Sequence, residues 1–323
     1  MTYSIKSKEK RCTKEQSERE IWLIDQVTTK ENPNFKMSPL RHIMLVLYIL
    51  QCLMTYVSSI YIQPVADSIK KGYSIPLAQI NLNTTFSDLS CVVCTIPAVF
   101  IVEKIGVKYS LALSTGFCFL GALINLLISE SFYFVMIGQL FVGVGAVLST
   151  ACQAPFCNNW YNLESRPLII AITSTTLPLG SSLPYLLVPL FIPDSNGSIE
   201  DIQNGTMFFT GLIACIYGII GVLIIVLFSD HPPSKKNKIK GTKDPVSQEK
   251  NYCKLLKSVL TDSVWILSFL AMFFGGAALA QFSILNEVLN LFGYSNQKAS
   301  ILVVGVLFAS IVATVIYGYL WMK

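Results

Sequence analysis

Apolar stretches of about 20 residues follow one another along this chain with only short polar breaks, and no other feature restricts its fold so severely. That length of helix crosses the hydrocarbon core of a bilayer. A backbone placed there must satisfy its own hydrogen bonds, which leaves helices or closed barrels. The runs are continuous rather than alternating, which selects helices. Eight spans are drawn over residues 42–63, 84–102, 108–129, 131–154, 167–192, 206–229, 263–286 and 299–321. The 13% charged content agrees with this, since a soluble domain carries about 25%. The fold class is an all-α polytopic membrane protein.

Four regions follow from the spacing: a polar tail at 1–41, six closely spaced spans at 42–229, a basic segment at 230–260 and two further spans within 261–323. The basic segment contains SKKNKIKGTKD (234–244) and has few apolar residues, so it is expected to be a flexible cytoplasmic linker near anionic headgroups. Of the 24 Lys and Arg, only Lys70, Lys71 and Lys298 fall on the side opposite the N-terminus. The other 21 share its side, which by the positive-inside rule makes the N-terminus cytoplasmic. The net charge of +5 therefore reports topology and gives no reason to expect nucleic acid. Two glycosylation sequons, at Asn196 and Asn204, lie in a loop this topology places outside. A third, at Asn83, abuts the second span and is expected to go unused. The first span is expected to serve as the targeting signal, with the plasma membrane as destination.

Catalytic and cofactor chemistry find no support. The two histidines, His42 and His231, lie near membrane edges, and no Gly-Lys-Ser/Thr phosphate loop occurs. None of the nine cysteines falls in a clearly external loop, and Cys91 and Cys94 form a CxxC inside an apolar helix, where packing is the expected role. The chain is expected to be no enzyme, with no metal and no cofactor.

The stretch IVEKIGVK (101–108) places Glu103, Lys104, Gly106 and Lys108 between the second and third spans. Gly106 permits a tight helix-to-helix turn. Six spans, a basic cytoplasmic loop and further spans form the layout of a major facilitator transporter, in which two six-helix lobes rock about a central cavity. The 103–108 turn resembles that superfamily's signature loop, an acid followed by glycine and basic residues. The resemblance implies that Glu103, Lys104, Gly106 and Lys108 form a gate whose contacts differ between states. Alternatively the lysines are ordinary positive-inside anchors. On this reading the chain holds a six-helix N-terminal lobe and two helices of an incomplete C-terminal lobe.

A closer resemblance runs from Arg41 to Pro189, with a second block past the basic segment. IPAVFIVEKIGVK (96–108), MIGQ (136–139), NWY (159–161) with Glu164, LG (179–180) and FSILNEVLNLFGY (282–294) are together similar to the feline leukaemia virus subgroup C receptor-related family. Its members carry choline, ethanolamine or haem-related cargo. The family's aromatic cage for a quaternary ammonium falls here on Ser59 and Leu279, a family glutamine falls on Pro178, and its outer Asp-Trp pair falls on Asn81-Leu82. The resemblance thus implies a small-molecule carrier without carrying choline across.

Polar residues inside spans are the default site candidates. Ser58 and Ser59 in the first span, Thr176 in the fifth and Asn286 at the end of the seventh are the expected substrate contacts. Pro178 and Pro184 free carbonyls in the fifth span, a device transporters use to build sites. Asp88 and Glu287 are candidate proton or ion sites, or else acids that simply meet water in the outer vestibule. Gln153 and Gln281 are weaker candidates. Gly305, Ala309 and Ala313 in the eighth span, and Gly275 to Ala278 in the seventh, suit close helix packing.

Twelve spans make a facilitator and eight are present. The chain is therefore expected to be part of a longer carrier, a short form that works with a partner subunit, or a non-transporting membrane receptor or regulator. The favoured expectation is alternating-access transport of a small organic solute, with its site among the first, fifth and seventh spans.

Overall fold

The computed structural model describes residues 40–162, 164–193, 197–230 and 296–320, and these are helical almost throughout. Helix α1 covers Leu40–Ile60, followed by a 3-10 turn at Gln63–Val65 and a short helix α2 at Ala66–Tyr73. Helix α3 covers Leu77–Asn125 and is interrupted at Gly106. Next come α4 (Phe132–Ala151), α5 (Gln153–Trp160), α6 (Arg166–Ser174), α7 (Thr176–Phe191), α8 (Ile199–Leu227) and α9 (Asn296–Leu320). Among the described residues, four continuous stretches are long and apolar enough to cross a membrane: Leu40–Tyr73, Leu77–Ser129, Phe132–Trp160 and Ile199–Leu227. The second contains two crossings, because it folds back at Gly106. The fifth crossing is built from α6 and α7, which meet at Thr175. That break is where Pro178 removes the donor that would have bonded the Ser174 carbonyl.

Glycine decides how the crossings pack. A Cβ on Gly121 would lie 2.6 Å from the Gly138 carbonyl oxygen, and one on Gly138 would lie 2.7 Å from that of Gly121. Gly143 meets Ser87 and Ser90, and Gly145 meets Ser114 and Cys118. One face of α4 therefore touches both limbs of α3, and the limbs run antiparallel beside it. Close backbone approach of this kind is how helices associate where lipid removes the hydrophobic incentive. A second close crossing brings Gly180 of α7 onto the Leu53 backbone of α1. Helix α9 packs along α6 and α7, where Val303 is fully buried beside Tyr185.

The expectation for the eighth span is corrected. Gly305, Ala309 and Ala313 are exposed, and nothing lies within 4 Å of a Cβ at Gly305 among the described residues. The close-packing small residues sit in the fourth crossing, where they are spaced irregularly along an apolar run. The Gly275 to Ala278 cluster lies outside the described residues.

The second crossing also begins earlier than its hydropathy indicates, at Leu77 rather than residue 84. Ile80, Asn83, Ser87 and Ser90 are buried in one helical stripe. Their spacing of three, four and three is helical, but the polar members hide it from a hydropathy reading. Asn83 is 1% exposed, consistent with an unused sequon.

Candidate functional site

A cavity of about 180 Å³ opens between the first, fourth and fifth crossings. Helix α1 contributes Tyr48, Cys52 and Tyr56 at a helical spacing of four, so all three stand on one face. Thr150 ends α4 and Gln153 begins α5. Thr173 and Ser174 close α6, and Thr176 and Leu177 open α7. The helix breaks at Cys152 and Thr175 place four chain ends around one space, and polar side chains collect there for that reason.

Gln153 organises the wall. Its Nε2 donates to Thr173 Oγ1 (2.8 Å), Ser174 Oγ (3.0 Å) and the Ile170 carbonyl (3.3 Å), joining α5 to α6. The Tyr48 hydroxyl donates to the Ser149 carbonyl at 3.0 Å, and its ring stacks on Phe156 at 5.0 Å. Six hydroxyl-bearing residues (two of them tyrosines), one amide and one thiol line the cavity. No described lining residue is charged. Such a wall can bind a solute by hydrogen bonds and ring contact, but supplies no counter-charge.

The expected site residues separate. Thr176 lines the cavity. Ser59 is half-buried, and its hydroxyl donates back to the Thr55 carbonyl at 3.0 Å. Ser58 faces the interior of the lobe and is fully buried. Asp88 is exposed on the flank of α3 beside Leu89, Val92 and Val93. Asn286 and Glu287 lie outside the described residues, as do Gln281 and Leu279. Asn204 is exposed on α8, near its start, while Asn196 also lies outside the described residues. Gln153, a secondary candidate on sequence, is the residue that ties this wall together. Tyr56, Thr150 and Ser174 were hidden by their ordinariness, since polar and aromatic residues recur in every crossing and only the packing selects a few.

The turn at 103–108 is tighter than a loop. Helical geometry fails at Gly106 alone, with φ 83° and ψ 173°, a region open essentially to glycine. Glu103 and Lys104 are exposed on the limb before it. Asp230, at the start of the basic segment, reaches back to this turn: its Oδ1 accepts from the Lys108 backbone N–H at 2.6 Å. The carboxylate thereby caps the second limb of α3 at the positive end of its dipole. Around it, the Trp160 indole N–H donates to the Ser229 carbonyl at 3.2 Å and the Tyr161 hydroxyl donates to the Arg41 carbonyl at 3.4 Å. Two residues of the NWY motif thus fasten the basic end of the bundle. A lone acid after a long apolar run carries no local signal of this role, because its partner lies 122 residues away.

An Asp230→Ala variant is expected to lose about 0.5–2 kcal/mol of stability, the range for removal of a cap, with Asp230→Asn retaining most of it. Gly106→Ala is expected to cost about 1–3 kcal/mol from backbone strain. Thermal unfolding in detergent measures both. Equal melting temperatures for wild type, Asp230→Ala and Asp230→Asn would remove the cap from this account.

Among the described residues no group of three or more His, Cys, Asp or Glu is placed to hold a metal, and the seven described cysteines are free. The Cys91 thiol donates to the Gly143 carbonyl at 3.3 Å, a packing contact.

Comparison with known proteins supplies a context for this geometry. The family model described as Major Facilitator Superfamily matches residues 44–322. An uncharacterised MFS-type transporter of Caenorhabditis elegans is 23% identical over 265 residues, which are 79% of this chain and 44% of that protein. A bacterial homologue of the human lysosomal transporter Spinster, inward-facing and unoccupied, superposes with a TM-score of 0.63 at 16% identity, covering 82% of this chain and 58% of that one. The transporter FucP in its outward conformation gives 0.64 at 15% identity, covering 87% and 72%. The chain spans about half the length of the curated relative it matches. At these identities the structural likeness speaks for the fold alone.

Proposed function

The chain belongs to the major facilitator superfamily, and from that premise we propose that it serves transport of a small, uncharged, hydrogen-bonding solute across a membrane by alternating access. The observation that carries this reading is the cavity where α1, α5, α6 and α7 converge, lined by hydroxyl-bearing residues, an amide and two tyrosines with no described charge. An ion in such a site would forfeit its hydration without a counter-charge. A solute rich in hydroxyl or amide groups exchanges water for Gln153, Thr173, Ser174 and Thr176. On the proposed kinship with choline carriers, Ser59 would replace a cage aromatic, which also argues against a quaternary ammonium. The feline leukaemia virus subgroup C receptor-related family remains the proposed kinship, with a different cargo.

Glu103, Lys104, Gly106 and Lys108 are proposed as the gating turn, held by Asp230. Asn286, with Ser59 and Thr176, is proposed as a solute contact, and Asp88 and Glu287 as candidate proton or ion sites. Ser58, fully buried in the lobe, is proposed to support α1 rather than to touch solute. The basic end is proposed to face the cytoplasm. Glycan mapping checks this orientation: Asn196→Gln and Asn204→Gln should each remove a glycan, and Asn83→Gln should change nothing. A glycan at Asn83 would keep the orientation but place the start of the second crossing in the lumen, while none anywhere in a secretory host would reverse or relocate the chain.

Uptake into proteoliposomes tests the function, comparing a neutral polyol, a neutral amide, choline and lactate. Saturable uptake of a neutral solute is the expected result. Saturable uptake of choline or lactate alone would keep the carrier and discard the solute class. Solute-dependent stabilisation with no uptake would favour a receptor, or a need for a partner subunit.

A further inference from the structure

The face of α1 opposite the cavity holds a second polar centre that solute transport does not use. Ser58, Gln139 and Tyr217 are each 0% exposed, on α1, α4 and α8. Gln139 Nε2 donates to the Ser58 carbonyl at 3.0 Å, which fixes the amide's orientation, because a carbonyl can only accept. Gln139 Oε1 is thereby left without a donor. The Ser58 and Tyr217 hydroxyls likewise make no hydrogen bond, although Tyr217 Oη faces Thr55, Ser58 and Cys118. The Thr55 hydroxyl spends its proton on the Gln51 carbonyl at 2.8 Å, so its oxygen can still accept.

Three unpartnered polar atoms gathered about Ser58, deep in a lobe that crosses lipid, are too costly to leave unmatched. Two are hydroxyls that can donate, one is a carbonyl that must accept, and the Thr55 oxygen beside them can accept. We propose that the core of the lobe encloses one ordered water at Ser58, Gln139 and Tyr217. It accepts from the Ser58 and Tyr217 hydroxyls and donates to Gln139 Oε1 and Thr55 Oγ1. Donors and acceptors then balance within the two to four bonds a buried water makes. A monovalent cation suits the same oxygens less well, since none of these four side chains is charged and a bare ion in the core would be uncompensated. The water links α1 to α4 and α8 while the opposite face of α1 meets solute, so it belongs to the scaffold rather than to the transport path.

Millisecond X-ray hydroxyl-radical labelling of the full chain in lipid nanodiscs tests this, because an enclosed water generates its radical in place. Tyr217 should be oxidised about as fast as the exposed Tyr133, while Phe156, equally buried but within an apolar cluster and lining neither polar site, stays protected. Gln139→Met, which removes the acceptor, should lose most of the Tyr217 labelling while keeping the monodisperse elution of the wild type. Should that variant fail to fold, the contrast between Tyr217 and Phe156 in the wild type still decides. Protection of Tyr217 equal to that of Phe156 would mean a dry core and overturn the proposal. So would a melting temperature that tracks sodium or potassium replaced by N-methylglucamine, which would assign the site to an ion.

Discussion

Gly138→Val is expected to lower the melting temperature of the lobe sharply and cut the yield of monodisperse protein. The new side chain would enter the space of the Gly121 carbonyl, and its Cβ alone would overlap the side-chain amide of Asn125. Asn125 is itself buried, and with its amide nitrogen turned toward them it donates to the Gly121 and Val135 carbonyls at 3.3 and 3.2 Å. Overpacking a core that can shift costs about 1–3 kcal/mol. Here the obstacle is the backbone of a neighbouring helix, which cannot rotate away, so about 3 kcal/mol or more is expected. A typical stability of about 5–15 kcal/mol leaves little margin for that loss. Gly116→Ala is the control: nothing lies within 4 Å of its Cβ, and a helical glycine replaced by alanine gains about 0.5–1 kcal/mol. Size-exclusion profiles and melting temperatures in detergent should therefore move in opposite directions. A Gly138→Val protein that elutes and melts like wild type would mean that α3 and α4 do not meet where described.

The second large effect is expected at Gln153. Its amide holds three oxygens of α6 and borders the cavity. Gln153→Ala removes the joint and a wall group together. Thr173 is the buried partner among the three, and leaving it unpaired costs about 1–3 kcal/mol; if the solute feels that loss, uptake efficiency falls about 5- to 150-fold. Gln153→Glu should do worse, because a carboxylate accepts where a donor is needed and puts charge into a neutral wall. Cys215→Ser, exposed on α8 away from the cavity, should leave uptake unchanged. Uptake by Gln153→Glu at the wild-type rate, at equal protein per vesicle, would place the solute elsewhere.

Amino-acid order alone determined more about this protein than is usual. Lipid offers no hydrogen bonds, so runs of about 20 apolar residues commit the chain to helices whatever they pack against. Gly106 marked the sharp reversal for a similarly local reason, since few other residues adopt its backbone angles. The superfamily followed from the order of spans and turns. What stayed hidden depends on contacts between distant segments. Hydropathy cannot tell a glycine that lets two backbones touch from one that merely faces outward, and Gly138 and Gly305 differ only in what lies beside them. Ser58 and Ser59 are neighbours in sequence, yet one is sealed in the lobe and the other is half-buried, because helical rotation turns adjacent side chains about 100° apart. The Asp230 cap joins residues 122 positions apart. Local chemistry fixed the secondary structure and the crossings, while the choice of which polar residues share a cavity, a cap or a buried cluster was made by the packing of helices against one another.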